Sequence, residues 1–548
     1  MLNFIALNVE DCFLYFHFFN SLMNTNGNNN PEHWGFLAVQ KTLKDHGELE
    51  KYTCASGITP SGVIHIGNVR EYITVDIVKR AFVYSNLKVR HIHSWDNYDP
   101  FRKVPKDMPQ QEMLKENLRK CIVDIPDPYG ECDCYAMRNI KDLEESVKLI
   151  GINPEFLYQC EKYRACEYAE DINHALKNKE KIIEILNRYK SENLKEDWLP
   201  VSIFCAKCKK DTVSNIKYTK DYHLSYECKC GHKEEFDFRK KGIVKLKWRI
   251  DWPMRWAYEK VNFEPSGRDH TSAGGSYDTG KYICKEVWNY PPPSYLGFDF
   301  VKIKGATKKI SSSSGNVVTL RDCLEIYEPE VVRYLFASTR PESEMEISFD
   351  TDVIKIYEDY DKCERAYYDV EEVSKPEKEK WIYVFSQVDE EIEKIPKEMA
   401  TQVGFRHITT MLQINELNEE KTLHFFKNKL EGINEDKLKV RIKCAKNWLE
   451  NYADEQFKFS VQTTKVNLDE FSELEQNVLR KLKEKIEKSE NEEELTSNLF
   501  EIPKETGMNP KDFFKLCYKV IINKERGPKL ASFIMEVGKD KVLNILDF

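Results

Sequence analysis

The feature that most constrains the fold is a strand, a glycine-containing turn, a helix and a second strand within residues 51–95. Tyr52–Ala55 is short and β-prone, and a turn-rich segment follows from Gly57 to Gly67. Apolar residues then recur at helical spacing at Val69, Ile73, Ile77 and Ala81. Asn68 is placed to cap the first turn of this helix, and an apolar run over 87–95 predicts the second strand. This order predicts an α/β fold built on a doubly wound, Rossmann-like parallel sheet, with ligands at the carboxyl ends of its strands.

Further along the chain, the pattern predicts a modular organisation. Cysteine-rich hairpins occupy 201–235, and apolar residues over 244–250 alternate with Lys245, Lys247 and Arg249, which predicts a strand with one basic face. A strand over 298–304 leads into a serine-rich loop, and helical periodicity dominates from Leu320 onward. The predicted domains are a disorder-prone N-terminal extension at 1–32, the two halves of the α/β domain at 33–200 and 241–318, a zinc-binding insert at 201–240, a connecting helical region at 319–390 and a helical domain at 391–548.

Composition sets limits on the function classes. A chain of 548 residues with 41% hydrophobic and 32% charged residues can bury several cores, and it lacks an apolar run of the roughly 18 residues that a membrane span needs. The formal charge of −9 argues against indiscriminate coating of nucleic acid, so an RNA partner needs a local basic face. Sixteen cysteines without a convincing secretory signal indicate reduced thiols, and hence a cytoplasmic protein with no membrane partner.

The first 22 residues are rich in Phe and Leu, but they lack a basic start and carry Glu10 and Asp11, which makes a poor signal peptide. The polar stretch Asn24–Asn30 is typical of a flexible linker. Two interpretations stay open for this extension: translation begins at Met23, or the segment packs against the protein or a partner.

The turn between the first strand and helix carries Pro60, Ser61, Gly62, His65, Gly67 and Asn68. Backbone amides exposed at a helix N-terminus, with glycines that permit close approach, suit a polyphosphate. His65 adds a hydrogen-bond donor for charge that develops on an attacked phosphate. Taken alone, the pattern is more typical of a packed turn around a structural histidine.

A second motif runs from Lys308 to Asn316 and includes Lys309, Ser311 and Ser312. Small residues allow a loop to close over a nucleotide, and an ammonium group carried by that loop can neutralise a developing pyrophosphate. A serine run can also be no more than a solvated linker.

Four cysteines stand in two short spacings, Cys205–x–x–Cys208 and Cys228–x–Cys230. This arrangement predicts a closed tetrahedral structural zinc site, with His232 as an alternative ligand for one position. Four unrelated buried cysteines are the alternative. Cys132, Cys134, Cys160 and Cys166 are spaced too loosely to predict a second site.

Together, the histidine turn and the serine loop resemble the signatures of class I aminoacyl-tRNA synthetases. His65–Asn68 resembles the His-Ile-Gly-His turn with Asn68 in the last place, and Lys309–Ser313 resembles the Lys-Met-Ser-Lys-Ser loop with Ser312 where many members carry lysine. The chain is most similar to the class I lysyl-tRNA synthetases from His33 to the C-terminus. The segments that carry this similarity are Ala55–Gly62, Ser94–Asp99, Trp252–Trp256, Gly267–His270 and Gly274–Asp278.

The resemblance implies ATP-dependent attachment of L-lysine to tRNA(Lys) through a lysyl-adenylate, with ATP, Mg²⁺ and structural Zn²⁺. It implies that His65, Asn68 and Lys309 are catalytic. The implied ATP-binding residues are Pro60, Ser61, Gly62, His65, Gly67, Asn68, Lys309, Ser311 and Ser312. The implied lysine-binding residues are Gly57, Thr59, Asp96, Asp99, Trp252, Asp269, His270 and Tyr295. Ser314 departs from the family pattern, where a lysine usually follows the serines, and this places the loop charge on Lys309.

For tRNA, the resemblance implies that the acceptor end lies beside the stripe of Lys245, Lys247 and Arg249, and that the helical region after 391 reads the anticodon. In that region basic residues cluster at Lys519, Lys524, Arg526 and Lys529, although such runs are often only solvated. The 319–390 region is expected to resemble a stem-contact region, and a monomer is favoured. Two alternatives stay open: a synthetase for glutamate, glutamine or arginine, and a noncatalytic tRNA-binding paralogue.

Overall fold

The computed structural model describes residues 33–106, 108–305 and 317–548. The N-terminal extension and the serine loop with Lys309, Ser311 and Ser312 lie outside the described residues. The chain forms two compact units. The first comprises residues up to 324 with 329–347 and 362–397, and the second comprises 325–328, 348–361 and 398–548.

A parallel sheet organises the first unit. Strands β1 (Tyr52–Ile58), β2 (Val89–Trp95) and β3 (Glu155–Tyr158) are hydrogen-bonded in parallel in the order β1-β2-β3. On the other side of β1, Cys54 pairs in parallel with Phe263, which pairs in parallel with Ser294. Five parallel segments numbered along the chain therefore have the spatial order 3-2-1-4-5, which is that of a doubly wound sheet. The parallel sheet predicted from the sequence is confirmed.

The helix between β1 and β2 is the most deeply buried element of this unit. It spans Ile66–Tyr84 (α2, after α1 at Trp34–His46), and its periodic residues Val69, Ile73, Ile77 and Ala81 are fully buried. Because β1 and β2 are parallel neighbours, the connecting helix must cross over the sheet, and its apolar side is covered there.

The remaining helices among the described residues before 348 are α3 (Gln111–Glu116), α4 (Tyr135–Leu149), α5 (Gln159–Arg164), α6 (Ala169–Lys177), α7 (Lys179–Asn187), α8 (Trp248–Glu259), α9 (Arg268–Thr271), α10 (Ser276–Val287), α11 (Leu320–Ile326) and α12 (Pro329–Ser338). The remaining strands are β4 (Val201–Ile203), β5 (Val213–Lys220), β6 (His223–Cys228), β7 (Lys233–Asp237), β8 (Val244–Leu246), β9 (Ser266–Gly267), β10 (Gly297–Phe298), β11 (Val301–Lys304) and β12 (Met345–Ser348). Strands β5, β6 and β7 form a separate antiparallel sheet, and β9 pairs in parallel with β10.

The described residues after 348 are helical. The helices are α13 (Asp352–Tyr367), α14 (Pro376–Ser386), α15 (Phe405–Ile414), α16 (Glu419–Lys429), α17 (Glu435–Asn451), α18 (Glu473–Lys488), α19 (Glu492–Thr506), α20 (Pro510–Ile522), α21 (Leu530–Val537) and α22 (Lys539–Ile545), with 3-10 turns at Ile122–Asp124, Ile392–Lys394 and Leu468–Glu470. Helices α16 to α20 each begin after an Asn or Ser whose side chain accepts a backbone N–H, as these polar residues favour at N-caps. Inside the second unit, buried Arg441 bonds Glu328 (2.6 Å) and Asp361 (2.8 Å).

None of the described helices has the length and apolarity that a membrane crossing requires.

Asn68 caps the first turn of α2, as predicted: the helix begins after His65, and Asn68 Oδ1 accepts the His65 N–H (3.2 Å) in a capping box. Two other local predictions were wrong. The predicted strand over 244–250 stops at Leu246, because α8 begins at Trp248. The predicted strand over 298–304 is divided into β10 and β11, since Phe300 N–H bonds the side chain of Asp299 where a continuous strand would need a ladder partner.

Candidate active site

A cavity of about 840 Å³ opens at the carboxyl end of β1. Its wall includes the ends of β1 and β2 and the segment after Phe263, where the strand order of the sheet reverses. Doubly wound sheets bind ligands at this position, because chain connections leave in opposite directions and open a crevice. Eight predicted site residues line the cavity: Gly57, Thr59, Asn68, Asp96, Asp99, Trp252, Asp269 and His270.

The histidine turn lies beside this cavity. His65 is the N-cap of α2, and a Cβ on Gly67 would approach its imidazole to 2.8 Å. Any larger residue at this position would therefore force the ring of His65 to shift, because the ring folds back over Gly67. Partial burial lowers the pKa of His65 below 6.5, so its ring is neutral near pH 7 and retains one N–H donor.

Helix α4 holds the first half of the turn. The Tyr135 hydroxyl donates to the carbonyl of Ser61 (2.8 Å), and the Asn139 amide donates to the carbonyl of Pro60 (3.2 Å). Pro60, Ser61, Gly62, His65 and Gly67 are not part of the cavity wall itself, although Thr59 and Asn68 on either side of the turn are. The turn is thus anchored before any ligand binds.

Val318, two residues after the end of the serine loop, lies against the same helix. Ile66 N–H donates to the carbonyl of Val318 at 2.8 Å. The chain that leaves the serine loop therefore returns to the first turn of α2. Lys309, Ser311 and Ser312 themselves lie outside the described residues.

Two of the three aspartates predicted for lysine binding, Asp96 and Asp99, already have cationic partners. Asp96 bonds Nη1 of Arg255 at 2.6 Å, and Asp99 bonds Nζ of Lys245. Arg255 is buried and also lies 3.4 Å from Asp251. Each of these carboxylates is therefore largely neutralised by the protein.

Two carboxyl groups that the sequence analysis did not select line the same cavity: Glu71 and Glu264. Glu71 Oε1 accepts the N–H of Gly57 (2.8 Å), and burial raises the pKa of Glu71 well above 4.5. Glu264 accepts the indole N–H groups of Trp252 (3.0 Å) and Trp256 (2.6 Å), and burial raises its pKa to about 7. Within the described part of the chain, neither has a Lys or Arg within salt-bridge distance.

The sequence held a signal for Glu71, whereas the position of Glu264 follows from the strand pairing seen in the structure. Glu71 follows Asn68 by three positions in α2 and so shares its helix face. Glu264 comes directly after Phe263, which pairs with β1, and therefore lies at the carboxyl end of a parallel segment.

Aromatic rings cover another wall. Trp252 stacks on Trp248 with 5.1 Å between ring centroids, and His270 lies edge-on to Trp252 at 5.5 Å. Tyr295 is not in the wall: its hydroxyl donates to Thr271 (3.3 Å), and its ring packs against Tyr277. Asp269 lines the cavity and is exposed. The structure thus brings together the cavity-facing candidates and leaves Tyr295 outside.

The predicted basic stripe does not form a single surface. Lys245 is buried against Asp99, and Arg249 donates to the carbonyl of Gly274 (2.7 Å) and to Thr279. Lys247 lines the cavity with its ammonium 4.5 Å from the ring centre of Trp198. The prediction of a basic stripe was wrong because the strand ends at Leu246, so the three side chains do not lie on one face of a single strand.

The four cysteines meet at one point. The Sγ atoms of Cys205, Cys208, Cys228 and Cys230 all lie within 4.8 Å of one another, and Cys205–Cys230 and Cys208–Cys228 are 3.7 and 3.6 Å apart. Four thiolates about 2.3 Å from a tetrahedral zinc are about 3.8 Å apart, so the donor set fits this ion. His232 instead contacts Glu234 (3.3 Å), and no second cluster of three or more metal-binding side chains occurs in the described ranges.

Comparisons with known proteins add independent information. The family model of tRNA synthetases class I (K) matches residues 32–389. A lysine–tRNA ligase of Borreliella burgdorferi is 47% identical over 514 residues, covering 93% of this chain and 98% of the relative. Those of Treponema pallidum and Thermococcus kodakarensis are 41% and 37% identical, each over 94% of this chain and 98% and 99% of their own lengths.

Proposed function

The chain belongs to the class I lysyl-tRNA synthetases, and we propose that it attaches L-lysine to tRNA(Lys) through a lysyl-adenylate formed in the cavity at the end of β1. Lysine, ATP and tRNA(Lys) are its substrates. The cytoplasmic location and the monomeric state remain predictions from the sequence.

The observation that carries the substrate assignment is the charge of the cavity. Asp96 and Asp99 are neutralised by Arg255 and Lys245, which leaves the buried carboxyl groups of Glu71 and Glu264 and the exposed carboxylate of Asp269. A buried carboxylate is costly unless a cation pairs with it. Lysine supplies that cation through its side-chain ammonium, whereas the side-chain carboxylate of glutamate would be repelled. We therefore add Glu71 and Glu264 to the proposed lysine-binding residues Gly57, Thr59, Trp252, Asp269 and His270.

The proposal for the first step follows from these positions. The lysine carboxylate attacks the α-phosphate of ATP in line, and pyrophosphate leaves. His65 and Asn68 stabilise the phosphates from the N-terminal end of α2, where backbone amides and the helix dipole favour negative charge. Bound together with ATP, Mg²⁺ would neutralise part of the phosphate charge.

Lys309 is proposed to supply the second positive charge on the leaving pyrophosphate, with Ser311 and Ser312 allowing its loop to approach. The hydrogen bond from Ile66 to Val318 supports this role, because it fixes the chain after the loop against the helix that carries His65. Catalysis here is positioning and electrostatics, and no covalent enzyme intermediate is needed.

In the second step, the terminal ribose hydroxyl of tRNA attacks the lysyl carbonyl, and AMP leaves. We propose that the helices after 391 contact the anticodon and that 319–390 connects them to the catalytic domain. The cysteine cluster is proposed to hold a structural zinc, since four sulfur ligands leave no position for a substrate.

ATP–pyrophosphate exchange with each of the twenty amino acids tests the proposal. We expect exchange that depends on lysine and lysine-dependent charging of tRNA(Lys). Exchange with glutamate, glutamine or arginine instead of lysine would overturn the substrate assignment. Binding of tRNA without any exchange would identify a noncatalytic paralogue.

A further inference from the structure

We infer that Arg70 is a positioning residue for adenylate formation, which fixes the histidine turn of α2 relative to the opposite wall of the cavity. This inference rests on the proposed function. Arg70 lies in α2, two residues after Asn68, and is not part of the cavity wall.

The guanidinium group of Arg70 is committed entirely to backbone carbonyls. Nη1 donates to Asp299 (2.7 Å) and Phe300 (3.1 Å), and Nη2 donates to Arg340 (3.2 Å) and Ser343 (2.7 Å). Arg70 is 2% exposed, and burial lowers its pKa to about 10, so it stays charged near pH 7. One side chain thereby joins three chain segments.

These segments lead directly to the cavity. Asp299 follows Phe298, which lines the cavity and pairs in parallel with Gly267, also in the wall. Arg268 extends the junction, because its Nη2 bonds Asp299 (3.0 Å) and the carbonyl of Glu342 (3.1 Å). The contacts of Arg70 therefore set the position of the His65 turn against the β9–β10 wall.

This position matters because the in-line attack on the α-phosphate depends on precise placement of the reacting groups. A misplacement of about 1 Å can lower the rate about 100-fold. Lysine cannot replace Arg70, since its ammonium is a single point and cannot span four carbonyls as a planar guanidinium does. Glu71 has its own anchor on Gly57, so the lysine pocket keeps its position when Arg70 changes.

The same helix provides a matched control. Arg80 is fully buried, and its guanidinium also donates to four carbonyls, those of Gln387, Asp389, Gly151 and Val388. It lies ten residues further along α2, about 15 Å at the helical rise. Unlike Asp299, which follows the wall residue Phe298, none of these four partners adjoins a residue of the cavity wall. Loss of either guanidinium should lower stability, but only loss of Arg70 should impair adenylate formation.

The experiment compares R70K and R80K in the full chain by thermal unfolding and by lysine-dependent ATP–pyrophosphate exchange, below both melting temperatures. We expect both variants to lower Tm. R70K should lower kcat by about 10- to 100-fold, with KM for lysine within about threefold, whereas R80K should keep kcat within about threefold. Equal kcat values for the two variants would overturn the inference.

If R70K does not fold, R268Q takes its place, because Arg268 is exposed and its loss loosens the same junction. Its kcat should then fall by about 3- to 10-fold with unchanged KM for lysine, and an unchanged kcat would overturn the inference. Wild-type protein without lysine-dependent exchange would instead refute the proposed function, and the two failures are therefore distinguishable.

Discussion

We predict that the substitution E71Q weakens lysine binding but does not destabilise the ligand-free protein. Gln keeps an oxygen that can accept the Gly57 N–H (2.8 Å in the wild type) and removes only the charge. Loss of one partner from a buried, hydrogen-bonded charge pair costs roughly 2–5 kcal/mol, so KM for lysine should rise at least about 30-fold. A neutral analogue, 2-amino-6-hydroxyhexanoic acid, should inhibit both proteins with constants within about threefold of each other, because it has no charge to lose.

The stability of the ligand-free protein should change in the opposite direction. Burial raises the folded-state pKa of Glu71 above 4.5, so its ionisation destabilises the folded state once the pH exceeds that value. E71Q removes this cost. The Tm of ligand-free E71Q should therefore exceed that of the wild type near pH 8, and the difference should vanish near pH 4.

Lysine-dependent exchange and thermal unfolding without lysine measure the two effects. E259Q is the control for the direction of the change in Tm. Glu259 lines the same cavity but is paired with Arg90 (2.9 Å) and Lys162 (3.3 Å), so loss of its charge should lower Tm. A lysine KM for E71Q within about threefold of the wild-type value would refute the reasoning.

Four further predictions concern other parts of the protein. Because the pKa of Glu264 is raised to about 7, kcat/KM for lysine should decrease as the pH falls below 7, by a factor that approaches tenfold per pH unit. The E264Q variant should lack this pH dependence. A pH profile shared by both proteins would contradict the role of Glu264. Metal analysis of freshly purified protein should find about one zinc per chain, and C228S should reduce both zinc content and Tm; zinc-free wild type would remove the zinc proposal. K309A should lose exchange activity by at least about 100-fold with little change in Tm, and near-normal exchange would contradict the role of its loop. K245M should lose roughly 1–3 kcal/mol of stability, because the substitution removes the salt-bridge partner of Asp99. Weaker tRNA binding at an unchanged Tm would instead support the interpretation of Lys245 as part of a basic stripe.

The fold could be predicted where local periodicity is strong. The strand–turn–helix–strand unit around α2 follows from apolar spacing, and the parallel order of β1 and β2 follows from the helix between them. The end of strand β8 at Leu246 could not be predicted in the same way. Alternation over 244–250 matches a strand, but α8 begins at Trp248, and its aromatic residues pack against the cavity at helical spacing.

The composition of the site was harder to predict than its position. Asp96 and Asp99 are aspartates at the end of a strand, but their partners Arg255 and Lys245 are about 150 residues away in sequence, so their neutralisation is a tertiary effect. The reverse holds for Glu264, since only folding shows that two indoles donate to it and that none of the described Lys or Arg residues forms a salt bridge with it. The cysteine cluster could be predicted because both of its pairs are local in sequence.

The most direct test of the account is a structure of the protein with a nonhydrolysable lysyl-adenylate analogue bound. The account predicts the side-chain ammonium beside the carboxyl groups of Glu71 and Glu264, and the phosphate mimic at the N-terminal turn of α2, within reach of His65 and of Lys309 in its loop. An ammonium group bound away from both carboxyl groups, or a phosphate mimic remote from the His65 turn, would contradict it.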